Sequence, residues 1–364
     1  MKLVYLSPVH WSSYKQRPHF MVQTFLAKGV ESALWVNPYP ARLPNMRDFI
    51  RHDDRLYRQC ERSNDLVYEL SMHVFPVEPI QYLRAINNVI WRGAISKILK
   101  YIDGEPFILG IGRPVIFGIK LLRSLSPAAS FYDAMDDFPE FYKGLARNSI
   151  KDAEQVIASE VDTVYASSSY LKKKFIDSKM DPILLHNACC MSSSSFGRLK
   201  KRQEVIGYVG SVGSWFDWDL VCRLAEELPQ FIIRVIGPVF QLPNRSLPVN
   251  IELLPPCSHR AAIEHMRQFA AGLIPFRKND LTKAVDPIKY YEYRSLGLPT
   301  LSTSFGEMEF RGVDDGVFFI DRHEGFSSII EKAIAWAKKK PEKDTREFYN
   351  KNNWACRFSC LLCN

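Results

Sequence analysis

The sequence has few of the features that mark disulfide-rich, membrane-spanning or disordered proteins. Its 364 residues include only eight cysteines, too sparse and uneven for a disulfide framework in a chain of this length. No apolar run approaches the roughly 20 residues that cross a bilayer, since even the run that starts at Phe269 stops at Arg277. Apolar residues make up 46% and aromatic residues 13%, as in ordered proteins. We therefore expect a folded intracellular chain that does not span a membrane.

We expect neither a signal peptide at the start of the sequence nor a metal site near its end. The segment Met1–Pro8 has too short an apolar core for a signal peptide and predicts a first buried strand. Cys356, Cys360 and Cys363 form a C-x3-C-x2-C pattern, but a closed zinc site takes four ligands, and no histidine or fourth cysteine lies nearby. We expect no metal site there.

The charge balance and the length narrow the class of protein further. Lysine and arginine total 48 against 40 acidic residues, a formal net charge of +8. This excess favours anionic partners such as nucleotides, phosphorylated lipids, anionic membranes or nucleic acid. At roughly 150 residues per domain, the length predicts about two domains, each large enough for its own core.

Short apolar runs alternate with longer amphipathic stretches along the whole chain. This rhythm is typical of βα units that build a parallel sheet with helices on both faces. The strand candidates of the first half are Leu3–Leu6, Ala33–Val36, Phe107–Gly110, Ser130–Tyr132, Thr163–Ala166 and Ile183–Leu185. Those of the second half are Val205–Val209, Phe231–Ile236, Ile251–Leu253, Gly272–Pro275, Thr300–Ser302 and Val317–Ile320. The sequence thus predicts an α/β protein with two doubly wound units in succession.

A linker candidate separates the two halves. The segment Met191–Gln203 is rich in small and charged residues and has no hydrophobic period. We therefore place an N-terminal domain at 1–199 and a C-terminal domain at 200–340, with the tail 341–364 a candidate to pack back on the first domain. Ligands of open α/β sheets bind at the carboxyl ends of strands, so the chemistry is sought in strand-to-helix turns.

One such turn leads into a helix with well-marked ends. Asp286 is a good N-cap, Pro287 suits the first helical position, and Gly297 ends the helix. The N-terminus of a helix carries unpaired N–H groups and partial positive charge, so that Lys289 in its first turn can hold a diphosphate. Glu292, on the same face, can accept hydrogen bonds from ribose hydroxyls. An ordinary capped helix with a surface Lys–Glu pair fits the spacing equally well.

A second turn is rich in glycine. The strand Val205–Val209 runs into Gly210, Ser211 and Gly213, where backbone N–H groups can approach a phosphate closely. The spacing matches neither the G-x-G-x-x-G nor the G-x-x-x-x-G-K-[ST] motif. A plain tight turn is at least as consistent with it.

Three carboxylates, Asp133, Asp136 and Asp137, follow the strand Ser130–Tyr132. A group that deprotonates a sugar hydroxyl belongs at a strand end, with its pKa raised by burial or by a neighbouring carboxylate. Asp136 is the candidate base. Helix capping and solvated acids are the alternative.

The first strand-to-helix turn holds Arg17 and His19, which can reach an acceptor or a phosphate. A surface loop that carries such residues by chance explains the pattern as well.

A stretch without acidic residues, Ile80–Ile102, is a candidate membrane contact. Such a helix can lie on an anionic leaflet. Its charged residues and its interfacial anchor would be Arg84, Arg92, Lys97, Lys100 and Trp91. A helix packed on the sheet with a basic solvent face is the equal alternative.

Several of these motifs together resemble a known family. They are Gln16–His19, Tyr132–Asp137, His186–Asn187, Val209–Ser211 and Asp286–Tyr293 followed by Gly297–Pro299. In this order the chain resembles the GT-B glycosyltransferases, and among them bacterial polysaccharide enzymes of the teichuronic-acid and xanthan glucuronosyltransferase type.

The resemblance implies two Rossmann-like domains that face each other across a cleft. The C-terminal domain would hold a nucleotide-sugar donor, a UDP-sugar or as the alternative a GDP-sugar, and the N-terminal domain a lipid-linked or growing polysaccharide acceptor. Lys289 would contact the diphosphate, Glu292 the ribose, the Gly210–Gly213 turn the phosphates, and Asp136 would be the base. The resemblance implies a hexosyltransferase of cell-envelope synthesis, without metal or cofactor, peripheral at the cytoplasmic face of the plasma membrane.

The chain departs from the retaining members of that family. Many of them carry an E-x7-E motif and an Arg/Lys pair beyond the glycine turn, whereas Ala284 stands eight residues before Glu292 and the turn continues as Ser214–Asp217. This difference favours an inverting single displacement, although Lys278 and Lys283 leave retention open as substitutes for the missing cations.

Two other functions stay open at this point. A nucleotide-sugar epimerase shares the architecture of two Rossmann-like units. A basic nucleic-acid-binding protein fits the net charge, but no recognition-helix or stacking motif supports it, so we expect no nucleic-acid partner.

Overall fold

The computed structural model describes residues 1–42, 61–64, 66–191, 202–321, 325–339 and 342–361. The chain forms two units, each built on its own sheet. Unit 1 comprises Met1–Leu185 and the chain from Cys360, and unit 2 comprises His186–Ser359. The predicted α/β class with two successive doubly wound units is confirmed.

The described part of unit 1 contains an eight-stranded sheet in the order β3-β4-β2-β1-β5-β6-β7-β8. The strands are β1 (Lys2–Leu6), β2 (Ala33–Val36), β3 (Glu61–Asn64), β4 (Val67–Leu70), β5 (Phe107–Ile111), β6 (Ala129–Ala134), β7 (Thr163–Ala166) and β8 (Ile183–Leu184). β3 is antiparallel to β4, and the other neighbours are parallel. The central strand β5 is buried throughout, as in sheets covered on both faces.

Unit 2 has, within its described residues, a six-stranded parallel sheet in the order β11-β10-β9-β12-β13-β14. The strands are β9 (Val205–Val209), β10 (Ile232–Ile236), β11 (Ile251–Leu254), β12 (Ala271–Ile274), β13 (Thr300–Ser302) and β14 (Val317–Phe319). This is the 3-2-1-4-5-6 order of dinucleotide-binding sheets. The order reverses between β9 and β12, and ligands of such sheets bind at the carboxyl ends of the strands beside that point.

Helices connect the strands in both units. Unit 1 contains α1 (Arg17–Ala27), α2 (Asn88–Ile102), α3 (Ile116–Ser124), α4 (Gly144–Glu160) and α5 (Ser169–Asp177). Unit 2 contains α6 (Trp218–Glu227), α7 (His259–Met266), α8 (Ile288–Ser295), α9 (Phe326–Lys339), α10 (Glu342–Asn352) and α11 (Trp354–Arg357). Among the described residues, none of the helices combines the length and the apolar character that a membrane span requires.

A close approach between α8 and the sheet fixes the helix that carries Lys289. A Cβ atom at Gly272 of β12 would lie 2.3 Å from the ring of Tyr293 on α8. The hydroxyl of Tyr293 also donates to the carbonyl of Gly207 on β9, at 3.3 Å. Because only glycine leaves room for the ring, the sheet itself sets the position of α8.

The division between the units falls earlier than the predicted boundary at 199. Asn187 belongs to unit 2 because its backbone N–H donates to Asp286 Oδ2 at 2.7 Å and its side chain donates to the Asp286 carbonyl at 2.6 Å. The N–H of Cys189 donates to the carbonyl of Asn352 at 3.1 Å. The predicted linker, Met191–Gln203, lies mostly outside the described residues.

The tail differs from the prediction as well. Its helices α10 and α11 belong to unit 2, since the N–H of Trp354 donates to the carbonyl of Cys189. The chain joins unit 1 only from Cys360, where the Lys28 ammonium donates to the carbonyl of Leu361. The proposed return of the whole segment 341–364 to the first domain is therefore corrected.

Candidate functional site

A buried ion pair anchors the turn that follows β6. The Arg17 Nε atom donates to both oxygens of Asp133, at 2.9 and 3.1 Å, and its Nη2 atom lies 2.7 Å from Asp133 Oδ1. Its Nη1 atom donates to the carbonyl of Leu185 at 2.7 Å. Both side chains are almost fully buried. Arg17 therefore joins α1, β6 and the residue that follows β8. Its guanidinium is used inside unit 1, so the predicted contact with an acceptor or a phosphate was wrong.

His19 is likewise part of the scaffold. Its Nδ1 atom accepts from the N–H of Gln16 at 3.2 Å, and Nε2 lies 3.1 Å from the carbonyl of Trp11, to which it donates in the matching tautomer. Burial lowers the pKa of the ring. The predicted acceptor-side role is replaced by a cap of α1, because both ring nitrogens are used inside unit 1.

The third carboxylate of the cluster, Asp137, is also paired. The Lys174 ammonium lies 2.7 Å from Asp137 Oδ1 and 2.5 Å from Glu154 Oε2. The hydroxyl of Tyr132 donates to the other oxygen of Glu154 at 2.9 Å. Although burial acts in the opposite direction, Glu154 and Asp137 raise the pKa of Lys174. This network holds the end of the β6 turn, and sequence spacing gave no sign that Lys174 would complete it.

Asp136 stands between the two paired carboxylates and differs from both. It is partly exposed, and within the described chain no side chain or backbone group forms a hydrogen bond or ion pair with it. Burial raises the pKa of Asp136 to about 7, against the lowering influence of Arg17 and with a further rise from Asp133 and Asp137. A carboxyl group that titrates near neutral pH is suited to accept a proton from a substrate hydroxyl.

In unit 2, α8 carries a second charged cluster. Lys289 Nζ lies 2.5 Å from Glu292 Oε2, and His259 at the start of α7 lies 3.2 Å from Glu292 Oε1. Although burial opposes it, Lys289 and His259 lower the pKa of Glu292 to about 2. The structure thus brings together the predicted Lys289 and Glu292, and it adds His259. The Ser258 cap of α7 is the only sequence signal that places His259 in a first helical turn.

Asp286 does not cap α8 as predicted. The cap position is Pro287 and the helix begins at Ile288. Asp286 is buried and accepts hydrogen bonds from the Arg311 guanidinium at 2.7 Å and the Tyr291 hydroxyl at 2.9 Å, besides the backbone N–H of residue 187. The Asp286 carboxylate thus binds the buried Arg311 guanidinium and other tertiary partners instead of the start of α8. The residues around Arg311 in the sequence do not indicate this ion pair.

The glycine turn lies at the reversal point of the unit 2 sheet. Gly210 has φ +156°, and a Cβ at Gly237, the residue after β10, would lie 2.3 Å from the Gly210 carbonyl oxygen. The turn is joined to the segment after β12, because the N–H of Asp217 donates to the carbonyl of Pro275 at 2.8 Å. Gly210, Ser211 and Gly213 therefore stand where ligands of such sheets bind.

The two lysines considered as substitute cations are both paired. Lys278 Nζ lies 2.9 Å from Asp321, and Lys283 Nζ lies 2.7 Å from Asp280. The Lys283–Asp280 pair is open to solvent and weak, with side chains 38% and 74% exposed, whereas Asp321 in the Lys278 pair is only 18% exposed.

The membrane candidates of unit 1 separate into two groups. Trp91 is buried and stacks on Phe117, so it is no interfacial anchor, and the prediction for it was wrong. Arg84 lies in a 3-10 helix, Gln81–Asn87, that precedes α2, and its Nε atom donates to the carbonyl of Glu78 at 2.7 Å. The exposed cations of α2 are Arg92, Lys97 and Lys100.

Of the three cysteines near the end of the chain, Cys356 and Cys360 are exposed. Cys363 lies outside the described residues.

Comparison with known proteins gives one sequence relative and many similar structures. The chain matches no family model. It is 23% identical over 255 residues to a Bacillus subtilis (strain 168) protein provisionally named teichuronic acid biosynthesis glycosyltransferase TuaH, and the match covers 60% of this chain and 62% of that protein. Sucrose-phosphate synthase from Thermosynechococcus elongatus has a TM-score of 0.68 at 11% identity, over 99% of this chain and 97% of the other.

A UDP-forming α,α-trehalose-phosphate synthase from Burkholderia xenovorans, solved with glucose-6-phosphate, has a TM-score of 0.63 at 11% identity over 98% of both chains. The chain has the GT-B fold. The expected fold of two Rossmann-like units and the resemblance to a bacterial polysaccharide glycosyltransferase are confirmed. In this GT-B protein, unit 1 carries Asp136, and unit 2 carries the charged cluster on α8 and the glycine turn.

Proposed function

We propose that this protein is a glycosyltransferase that moves one sugar from a UDP-sugar to a lipid-linked or growing polysaccharide. The observation that carries the proposal is the unpaired Asp136, whose pKa is raised to about 7 between two ion-paired carboxylates. The name of the sequence relative refers to teichuronic acid biosynthesis, and one of the similar structures is a UDP-forming enzyme.

In this proposal unit 2 binds the donor. Lys289 and the backbone N–H groups of the Gly210–Gly213 turn neutralise the diphosphate, and Glu292 binds the ribose hydroxyls. Glu292 Oε2 lies 2.5 Å from Lys289 Nζ, so this carboxylate holds the ammonium that would contact the diphosphate. Fixed cations and backbone dipoles stabilise the charge that develops on the leaving diphosphate. We propose that no divalent ion and no cofactor is required.

Asp136 then serves as the general base for an acceptor hydroxyl. The hydroxyl oxygen attacks the anomeric carbon, its proton passes to the Asp136 carboxylate, and the bond to the diphosphate breaks with its electron pair on UDP. A single displacement of this kind inverts the anomeric configuration. Arg17 and Lys174 are positioning residues in this scheme, because they hold the carboxylates on either side of the base.

We further propose that the enzyme works at the cytoplasmic face of the plasma membrane as a peripheral protein. The exposed cations Arg92, Lys97 and Lys100 of α2 can bind an anionic leaflet. Each basic residue near the surface contributes about 1 kcal/mol to the binding free energy. A lipid-linked acceptor would be found at the same surface.

The decisive test is transfer by Asp136→Asn and Lys289→Ala, followed as UDP release from a UDP-sugar in the presence of acceptor. Loss of a general base lowers turnover by roughly 10²- to 10⁴-fold, and Asp136→Asn should do so while UDP still raises the melting temperature. Lys289→Ala should weaken that UDP-induced shift.

Matched controls are Asp152→Asn, which neutralises an exposed acid of α4, and Lys343→Ala, which removes an exposed cation of α10. Both should behave like the wild type. Wild-type turnover in Asp136→Asn would refute the assignment of the base. Formation of an epimer from the UDP-sugar without acceptor would point to an epimerase instead.

A further inference from the structure

Unit 1 exposes a row of apolar side chains that the proposed chemistry does not use. Tyr82 is 92% exposed, Ile86 49% and Val89 76%. Side chains three residues apart eclipse in a 3-10 helix, so that Leu83 and Ile86 share one edge of Gln81–Asn87, and Val89 continues the spacing into α2. Exposed apolar clusters of this kind mark interaction surfaces.

Hydrogen bonds hold this row in place. The buried carboxamide of Asn87 accepts from the N–H of Phe75 at 2.9 Å and donates to the carbonyl of Phe75 at 3.0 Å. These two bonds fix Phe75, itself 55% exposed, beside the end of the 3-10 helix. We call Phe75, Tyr82, Leu83, Ile86 and Val89 the apolar ridge.

The apolar ridge is tied to the helix that follows the base. Arg84 Nη2 donates to the Ser149 hydroxyl of α4 at 3.4 Å. Leu145, one turn earlier on the same face of α4, is 58% exposed. Between Asp136 and α4 lies only the short segment with the 3-10 helix Phe138–Phe141, where Phe141 is also exposed. The 3-10 helix of the ridge is thus hydrogen-bonded to α4, and α4 and the segment between it and Asp136 each expose an apolar side chain.

The segment that carries most of the ridge is basic. From Pro79 to Ile102 the sequence contains no acidic residue, and α2 presents the exposed Arg92, Lys97 and Lys100 on the helix that continues the ridge. An apolar surface beside basic residues matches the boundary between the acyl chains and the headgroups of an anionic bilayer.

We propose that the apolar ridge inserts into this boundary of an anionic bilayer and is the main membrane anchor of the protein. The cations of α2 add a preference for anionic lipid, and the ridge brings the lipid end of the acceptor beside the segment that carries Asp136. This last role rests on the proposed function, whereas the insertion itself does not.

The test is co-sedimentation of the full chain with vesicles of neutral phosphatidylcholine and of phosphatidylcholine mixed with anionic phosphatidylglycerol. Leu83→Ser/Ile86→Ser should lower the partition coefficient about tenfold or more on both kinds of vesicle, because apolar area is lost. Lys97→Gln/Lys100→Gln should lower binding only to the anionic vesicles, and added salt should mimic it.

Ile176→Ser is the matched control, since Ile176 is a helical residue of unit 1 with 48% exposure against 49% for Ile86. It should bind like the wild type, and all variants should keep the wild-type melting temperature. Unchanged binding of Leu83→Ser/Ile86→Ser, or an equal loss in Ile176→Ser, would overturn the proposal. So would a dimer in solution that this double variant dissolves, without vesicle binding by the wild type.

The measurement needs neither donor nor turnover. Failure of the base assignment would therefore leave vesicle binding intact, and failure of vesicle binding would leave transfer to a soluble acceptor intact.

Discussion

Asp133, Asp136 and Asp137 lie within five positions of one another, but their surroundings differ in the ion-pair partners that they supply. Asp133 is fully buried and held by Arg17, and Asp137 is held by Lys174. Only Asp136, among the three, lies without a described partner, and burial raises its pKa. Asp136, the proposed base, is therefore the carboxylate of the three that neither of these ion pairs occupies.

The first prediction concerns the pH dependence of transfer. The base must be deprotonated, and the pKa of Asp136 is raised to about 7, so kcat/KM should rise with pH and level off above about pH 7. At pH 5 it should be about 100-fold below the plateau, because the active fraction falls tenfold per pH unit. An ordinary aspartate, with a pKa of about 3.9, would give a flat profile over this range.

Asp137→Asn should move the midpoint of that profile to lower pH, since the Asp137 charge raises the pKa of Asp136. Asp152→Asn should leave the midpoint in place. A midpoint near pH 4 in the wild type would contradict the raised pKa of Asp136 on which the proposal rests.

Residue-level sequence reasoning succeeded where a residue and its partner lie close along the chain. The contact between Lys289 and Glu292 was anticipated because helical spacing is a local feature, whereas the role of Asp136 as base stays a prediction. Arg17 was given the wrong role, since its partner Asp133 is 116 residues away and spacing carries no information on such pairs.

At the level of elements, strand prediction depended on apolar runs. All twelve strands predicted from such runs are present, whereas β3 and β4 were missed. Glu61–Asn64 is polar, and Val67–Leu70 is a short run of mixed polarity. β4 extends the sheet beside β2, so that tertiary pairing and not local pattern decides its conformation.

The turns after β9 and β10 come into close contact at two glycines. Gly237 has φ +137°, and its Cβ would lie 2.3 Å from the Gly210 carbonyl oxygen. Gly237→Ala should therefore destabilise unit 2 by about 1–3 kcal/mol or more, and calorimetry should show its transition lowered by roughly 2–4 °C per kcal/mol.

Gly93→Ala is the control for that substitution. Gly93 lies inside α2 with no heavy atom within 4 Å of an added Cβ and no positive φ. Alanine there should stabilise unit 1 by about 0.5–1 kcal/mol. Equal melting temperatures for Gly237→Ala and the wild type would show that the turn adjusts. The close approach of residues 237 and 210 would then not limit the stability of unit 2.

For the whole molecule, the sequence correctly predicted two units, but the predicted end of the first unit, residue 199, lies too far along the chain. Composition marked Met191–Gln203 because small and charged residues stand out there. The division lies at His186 instead, since Asn187 and Cys189 are held by residues about 100 or more positions further along the chain. Composition identifies polar segments, but it does not show which unit a preceding segment contacts.

The last prediction compares two fragments of unit 2, 186–359 and 200–359. The longer one keeps the bonds of Asn187 to Asp286 and of Cys189 to α10 and α11. A buried hydrogen bond to a charged group contributes about 1.5–3 kcal/mol, so the shorter fragment should melt several degrees lower, at roughly 2–4 °C per kcal/mol. Within the longer fragment, Asn187→Ala should reproduce much of the loss, whereas Cys190→Ala, at an exposed position, should not. Equal melting temperatures for the two fragments would place the boundary of unit 2 after Met191, because the segment 186–191 would then contribute nothing to its stability.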